Sequence, residues 1–329
     1  MSEAGMNDND DVKLRVCFLT GGFYPMIGGG ETHALQLAVA LREQGHEVLV
    51  LTRRSRAGLP VSEEVRGVPV HRVGPSGFPR LGKYLMLLPA LVWLGRNRAR
   101  YDTVYVCALR VLGLAGVLAG LLYGRRCVMR AEANGEMSGA FLWNSPGGGS
   151  RQAVLKLFKP LVMLRNRFYR LADEFVAVSE EVRAEFLEAG LDRGRIRLIF
   201  NGIDGQRFRE ADPKERRSLR MRHGLPSGPI FAYAGKLNRG KGLELLLRVW
   251  SRIAAEDTAA HLLLIGSGAG QYLSCEEELR RRVNEAGLES SVTFTGYVHD
   301  VENYLRAADF FVFPSEDESF GLAPLEAMA

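Results

Sequence analysis

Cysteine is scarce in this chain: Cys17, Cys107, Cys127 and Cys275 are the four in 329 residues, and no two form a CxxC pair. That excludes a disulfide-stapled scaffold and a cysteine-based zinc module, and leaves four free thiols as the expectation. Histidine is sparse too. His33, His46, His71, His223, His261 and His299 are scattered without an HxxxH spacing, so no metal and no cofactor is assigned. Long apolar runs are missing. The longest, Val111–Tyr123, spans 13 residues, where roughly 20 are needed to cross a bilayer. Its glycines mark it as a buried helix packed closely on its neighbours. The N-terminus, MSEAGMNDNDDVK, lacks the basic start and apolar run of a secretory signal, so residues 1–12 read as a disordered tail. An aromatic-interleaved basic stripe is also absent, which argues against nucleic acid as a partner.

What is present is an ordinary globular balance, 47% apolar and 25% charged residues with a net charge of +5. The length exceeds one usual core and points to two domains. Short apolar runs alternate with helical patterns in the N-terminal half, as in stacked βαβ units on a parallel sheet. The strands expected there are Leu14–Thr20, Val48–Thr52, Thr103–Val106, Arg126–Arg130, Glu174–Val178 and Arg195–Ile199. A helix begins near Glu31, with Leu35, Ala38, Val39 and Leu41 on one face and Gly45 at its C-cap. Near Asn201 the texture becomes polar and turn-rich, as in an interdomain connection. Strands resume at Ile230–Ala234, His261–Ile265, Val292–Thr295 and Phe310–Phe313. The expected domains are residues 13–205 and 206–329. The second shows four strands where a doubly wound domain usually has five or six, so it reads as incomplete.

Ligands of open α/β sheets bind at the carboxyl ends of the strands, so the turns there carry the chemistry. After the first strand, GGFYPMIGGGETH places Gly28, Gly29 and Gly30 before a helix N-terminus, where the backbone can approach an anion. After Ile230–Ala234 comes GKLNRGKG. It satisfies a phosphate-binding P-loop from Gly235 to Lys241, then fails, because Gly242 stands where Ser or Thr must hold magnesium. What survives is two ammonium groups, Lys236 and Lys241, beside a helix start that suits a diphosphate. The GSGAG after His261–Ile265 resembles a dinucleotide fingerprint, but its third glycine comes one residue early. No acidic residue follows the next strand to hold a ribose, so a nicotinamide cofactor is excluded.

The final stretch, FFVFPSEDESFGLAPLEAMA, is the most informative. Glu318 precedes Phe320, Gly321 and Leu322 at the entrance of a helix, and Glu326 lies about two helical turns further on. Two carboxylates so placed can each grip a pair of vicinal hydroxyls. The amides of Gly321 and Leu322 face the helix start.

These motifs, taken in order, resemble those of the retaining GT-B glycosyltransferases called glycosyl transferases group 1, or family four. The resemblance covers about residues 14–329 and runs through FYPMIGGGETH with GHEVLVLT, AVSEEVRAEF, NGIDGQRF, AGKLNRGKGLELLL, LIGSGAGQ, GYVHDVENYLRAADFFVFPS and ESFGLAPLE. It implies two Rossmann-like, doubly wound α/β domains facing a cleft, the N-terminal one on the acceptor side and the C-terminal one binding a nucleotide-diphosphate sugar. It implies metal-independent transfer with retention. Glu318 matches the first glutamate of the family's pair, at the donor sugar's hydroxyls near the reacting carbon. Glu326 matches the second, on the ribose. Phe320, Gly321 and Leu322 lie in the same motif, the latter two meeting sugar or phosphate through their backbone. Lys236 replaces a common Arg, which keeps the charge but loses the planar fork. Lys241 matches the usual Lys, and Gly29 and Gly30 match the N-domain loop that faces the donor across the cleft. Where many members place a histidine, this chain reads RAEANGEMSG, with Asn134 at that position and Glu132 and Glu136 flanking it. An amide can bind a sugar but cannot exchange a proton near neutral pH.

Two segments, LGKYLMLLPALVWLGRNRARY and RQAVLKLFKPLVMLRNRFYR, mix large apolar side chains with Lys and Arg. They read either as core helices with solvated basic faces or as a surface for anionic lipid. The reading is therefore a cytoplasmic enzyme with a lipid-linked or saccharide acceptor and peripheral contact with the inner face of a membrane. The alternative is a non-catalytic, truncated sugar-nucleotide-binding protein.

Overall fold

A computed structural model describes residues 13–26, 28–78, 81–140, 159–271, 273–316, 318 and 320–329. The expected N-terminal tail and residues 151–158 of the second basic segment lie outside the described residues. The chain divides into two compact units at Asn201–Gly202, a few residues before the expected boundary.

The first unit is built on an eight-stranded sheet. Its strands are β1 (Arg15–Thr20), β2 (Glu47–Arg53), β3 (Ser62–Val65), β4 (Val68–Val73), β5 (Thr103–Cys107), β6 (Arg126–Arg130), β7 (Glu174–Ala177) and β8 (Ile196–Leu198). Their order is β3-β4-β2-β1-β5-β6-β7-β8, parallel except for the β3–β4 hairpin. The centre of the sheet reads as continuous apolar runs because helices cover both faces. Cys17, Phe18 and Leu19 of β1 are fully buried, as are Val50 and Leu51 of β2. Chain direction along the sheet reverses at β1: β2 lies on one side and β5 on the other. The crevice of a doubly wound sheet opens at such a switch point.

Strands β3 and β4 were not anticipated. A tight turn joins them, with Arg66 at φ +50° and Gly67 at φ +79°, the left-handed pair that a two-residue hairpin requires. Glu63, Glu64 and Pro69 disguise the strands: the two glutamates are tolerated because β3 is an edge strand, and Pro69 because it sits at the start of β4, before the pairing with β2 begins at Val70. Elsewhere the strand expectations hold to within two residues at each end. The first helix runs Gly29–Glu43, two residues earlier than expected, and Gly45 follows its cap at φ +88°.

The 13-residue apolar run forms helix Gly113–Tyr123. Glycines 113, 116 and 120 share one face and bring it down onto the sheet. A Cβ at Gly116 would stand 2.4 Å from Val106 Cγ2, and one at Gly113 would stand 2.6 Å from Tyr169 Cζ. All four thiols are buried and free. Burial pushes Cys127 up to about 12 and raises Cys17 and Cys107 further, so they serve as small apolar fillers.

The second unit carries four parallel strands: β9 (Ile230–Ala234), β10 (His261–Ile265), β11 (Val292–Gly296) and β12 (Phe310–Phe311), in the order β11-β10-β9-β12. Helix Leu243–Glu256 covers one face, with Leu243, Leu247 and Trp250 buried at helical spacing. The Trp250 indole donates to Ser291 Oγ at 3.2 Å. Here too the order reverses, at β9, with β10 on one side and β12 on the other.

The glycine face of helix Gly113–Tyr123 has no room to spare. Replacing Gly116 by leucine is expected to destabilise the fold by about 1–3 kcal/mol through overpacking, read as a lowered urea midpoint. Replacing exposed Leu122 on the opposite side by alanine is expected to leave the midpoint within experimental error.

Candidate functional site

In the second unit the turns at the switch point belong to β9 and β12. The β9 turn, Gly235–Gly242, is rigidly tied down. Its Leu237 is fully buried, its Gly235 amide donates to the Ile265 carbonyl at 2.9 Å, and its Leu237 carbonyl accepts from the Cys275 amide at 2.9 Å. The Tyr233 hydroxyl donates to the Lys236 carbonyl at 3.1 Å. This frame leaves the Lys236 side chain exposed and aims Lys241 at the segment after β12. There Lys241 Nζ donates to Glu318 Oε1, which also accepts from Ser315 Oγ at 3.1 Å. Two residues far apart in sequence thus form one ion pair where neighbouring parallel strands end.

Gly242 explains why the P-loop pattern breaks. It caps helix Leu243–Glu256 at φ +68°, and a Cβ there would stand 2.0 Å from the Pro314 carbonyl oxygen. Serine or threonine cannot occupy the position, because the backbone that follows β12 fills the space. The GSGAG turn is likewise structural. Glu276 accepts from Ser267 Oγ at 2.8 Å and from the Gly268 amide at 2.7 Å, and a Cβ at Gly266 would meet the Gly235 carbonyl at 2.0 Å.

Gly321 caps the last helix, Leu322–Met328, at φ +77°, with Phe320 and Leu322 half-buried on either side. Glu326 lies on that helix in a different environment from Glu318. Its carboxyl is pushed up to about 7, first by burial and further by Glu302, against the opposing pull of Arg207. Arg207 is itself held by Glu302 at 2.7 Å and by the His299 carbonyl at 2.9 Å. Glu326 also lines a cavity of about 270 Å³ with Arg209, Arg306 and Asp309. The structure therefore joins Lys241 to Glu318 and sets Glu326 beside Arg207 and Glu302. The sequence reading missed Arg207 and Glu302, because nothing in their spacing links them to Glu326.

In the first unit the switch-point turns follow β1 and β5, and the next loop, 131–140, follows β6. Gly29 and Gly30 open helix Gly29–Glu43, whose cap, Gly28, offers no side-chain acceptor. Gly30 is occupied from outside: a Cβ there would lie 2.4–2.7 Å from the Glu132 carboxylate. Loop 131–140 is pinned from several sides. Glu185 accepts from the amides of Gly135, Met137 and Ser138 at 2.8, 2.9 and 2.6 Å. Arg165 donates to the carbonyls of Glu136 and Met137 at 2.7 and 2.8 Å.

The two glutamates flanking Asn134 have opposite fates. Glu136 has no exposed surface, and its carboxylate accepts from the Leu109 amide at 2.9 Å and from Arg110 Nε at 3.1 Å. It is an internal brace for the turn after β5. Glu132 keeps 29% of its side chain exposed, and Asn134 is half-buried on the same loop.

Residues 27–207 match the family described as Glycosyltransferase Family 4, and residues 228–329 match Glycosyl transferases group 1. The D-inositol 3-phosphate glycosyltransferase of Nocardia farcinica is 30% identical over 319 residues, covering 92% of this chain and 68% of that protein. The mannosylfructose-phosphate synthase of Agrobacterium fabrum is 34% identical over 179 residues, covering 52% of this chain; the match spans only 39% of that protein's length. Among solved structures, HepE of Anabaena in complex with UDP and glucose superposes with a TM-score of 0.71 at 20% identity, covering 96% of this chain and 78% of that one. Sucrose-phosphate synthase of Thermosynechococcus elongatus gives 0.75 at 23% identity, covering 95% and 79%. The fold is the mixed α/β type of the GT-B enzymes, and the chain belongs to the family 4, group 1 glycosyltransferases.

Proposed function

We propose that this chain transfers a glycosyl group from a nucleoside-diphosphate sugar to an acceptor hydroxyl, with retention and without a metal. The observation that carries the reading is the Lys241–Glu318 pair at the β9/β12 switch point. A cation and a carboxylate held together there match a donor that has a diphosphate and a polyhydroxyl ring side by side. Among the structural relatives, HepE is described with UDP and with UDP-glucose, which supports a nucleotide sugar as donor.

In this reading Lys241 and the exposed Lys236 neutralise the diphosphate, and Glu318 accepts hydrogen bonds from the sugar hydroxyls. Phe320, Gly321 and Leu322 contact the donor, and Glu326 accepts from the ribose. Gly29, Gly30 and Asn134 serve the first unit's side of the reaction. The acceptor oxygen bonds to the anomeric carbon on the face the diphosphate leaves. The carbon–phosphate-oxygen bond breaks with its electron pair going to the diphosphate, and a phosphate oxygen takes the hydroxyl proton. The protein's part is positioning and charge stabilisation. The names of two sequence relatives, a D-inositol 3-phosphate glycosyltransferase and a mannosylfructose-phosphate synthase, favour a phosphorylated polyol or sugar as one acceptor class.

A second element of the proposal is peripheral contact with anionic lipid. No helix among the described residues is long and apolar enough to cross a membrane. Helix Gly113–Tyr123 packs between Leu87–Arg96 and Lys159–Tyr169, and no Asp or Glu occurs in residues 81–101, 113–126 or 159–171. Large apolar side chains stand out from this region, with Leu88 at 70% and Met163 at 71% exposure. Lysines and arginines surround them, as on surfaces that lie at a lipid interface. This arrangement also suits a lipid-linked acceptor.

Replacing Lys241 by alanine, or Glu318 by glutamine, is expected to lower kcat by about 10²–10³-fold without unfolding the chain. Transfer from UDP-glucose and GDP-mannose to D-inositol 3-phosphate checks this, and full activity in both variants would remove the site from the mechanism. Anomeric proton NMR of the product reports retention. Glu326 accepts from a ribose more strongly when ionised, and its carboxyl is pushed up to about 7. Donor affinity is therefore expected to weaken by about tenfold between pH 8 and pH 6, by calorimetry with UDP-glucose, and to become flat with pH in Glu326→Gln. For the lipid surface, the protein is expected to float with vesicles containing anionic phosphatidylglycerol at low salt and not with phosphatidylcholine alone. Met163→Glu is expected to weaken the flotation, and sedimentation of the wild type away from both vesicles would exclude the surface.

A further inference from the structure

The transfer reading leaves one charged group of the first unit without a part. Glu132 follows β6 in the pinned loop and leans across the β5 turn onto the first turn of helix Gly29–Glu43. Both of its carboxylate oxygens lie within 2.7 Å of where a Gly30 Cβ would be. Behind it stands Arg130, 3% exposed. Arg130 Nη2 donates to Asn201 Oδ1 at 2.7 Å. Its Nη1, 3.9 Å from Glu132 Oε1, has no hydrogen-bond partner among the described residues. A buried guanidinium atom left without a partner, facing a half-exposed carboxylate at a helix start, is the arrangement of a site waiting for a ligand rather than of a finished structural ion pair.

We propose that Glu132, seated against Gly30, is the acceptor-binding carboxylate of this enzyme, accepting a hydrogen bond from an acceptor hydroxyl beside the attacking one and so fixing the direction of attack. The assignment rests on the glycosyltransferase reading above. It gives the glycine loop a second purpose, since only a residue without a Cβ lets the carboxylate sit there.

The surroundings keep Glu132 near its point of ionisation, at about 7. Burial raises it most, with Glu136 and Glu31 adding to the rise and Arg130 and Arg110 opposing it. His33, on the next turn of the same helix, is held neutral: burial, and then Arg130, lower it to about 3. The ionised carboxylate is the stronger acceptor of a hydroxyl's hydrogen bond, so its hold strengthens on the alkaline side of its titration. The sign for stability follows. The folded state holds the proton more tightly than the unfolded chain, so the ionised group costs stability once pH rises above the unfolded value near 4.5.

The test compares the full chain with Glu132→Gln, Gly30→Ala and the double variant, using UDP-glucose and GDP-mannose as donors and D-inositol 3-phosphate as acceptor. Expected are unchanged donor affinity in Glu132→Gln, a loss of about 100-fold in kcat/KM for the acceptor in each single variant, and no further loss in the double variant. The acid limb of the acceptor kcat/KM profile, near pH 7 in the wild type, is expected to vanish in Glu132→Gln. Independently of turnover, that variant is expected to melt about 2–4 °C higher than wild type at pH 8, with the difference gone near pH 4.5. Transfer within threefold of wild type in Glu132→Gln, or no gain in melting temperature at pH 8, overturns the assignment. If the wild-type chain binds neither donor, it is the donor-site reading that fails, and the melting comparison alone then decides on Glu132.

Discussion

The second unit depends on a contact that admits no side chain. At the end of β9 the backbone turns through Gly242 directly against the Pro314 carbonyl, and that approach brings Lys241 within reach of Glu318. Any Cβ at Gly242 would push the two turns apart and break the ion pair that spans them. The left-handed backbone at the same residue starts the helix that carries Leu243, Leu247 and Trp250 into the core. Core packing and the geometry of the Lys241–Glu318 pair therefore share one residue, which ties the placement of that lysine to the stability of the unit.

The first unit solves an analogous problem with a different balance of charge. Its switch point lies at β1 and β5, and the groups gathered near it are largely acidic: Glu31 in the first helical turn, Glu132 on the loop and Glu136 beneath. Glu136 is neutralised internally by Arg110 and by backbone amides, so it holds the turn after β5 in shape, including Ala108 at φ +97°. Glu132 receives no such complete set of partners. The difference between a braced carboxylate and an under-satisfied one is here a matter of how many donors each meets, not of residue type.

The pairing of a braced carboxylate with an under-satisfied one recurs in the second unit. Glu276 is wrapped by Ser267, the Gly268 amide and Arg280, and its carboxyl is held below the ordinary range despite partial burial. Glu326, with burial raising it and only Arg207 drawing it down, titrates near neutrality. Groups left unbalanced in this way weaken the fold, and proteins keep them chiefly where a ligand completes the balance.

The sequence by itself determined the two-unit α/β organisation, most strands to within two residues, the glycine-faced helix and the motif carrying Lys241, Glu318 and Glu326. These are legible because apolar periodicity and local turn chemistry act over a few residues. Tertiary structure alone decided the rest. The β3–β4 hairpin was hidden by charges that an edge strand tolerates and by a proline at the start of β4, ahead of its pairing with β2. The bar to serine at Gly242 comes from a carbonyl more than seventy positions away in the chain. The division of labour between Glu132 and Glu136 depends on Gly30, Leu109, Arg110 and Arg130, which β1, β5 and β6 bring together through the order of strands in the sheet. Strand order and close approach are long-range facts, and no spacing along the chain encodes them.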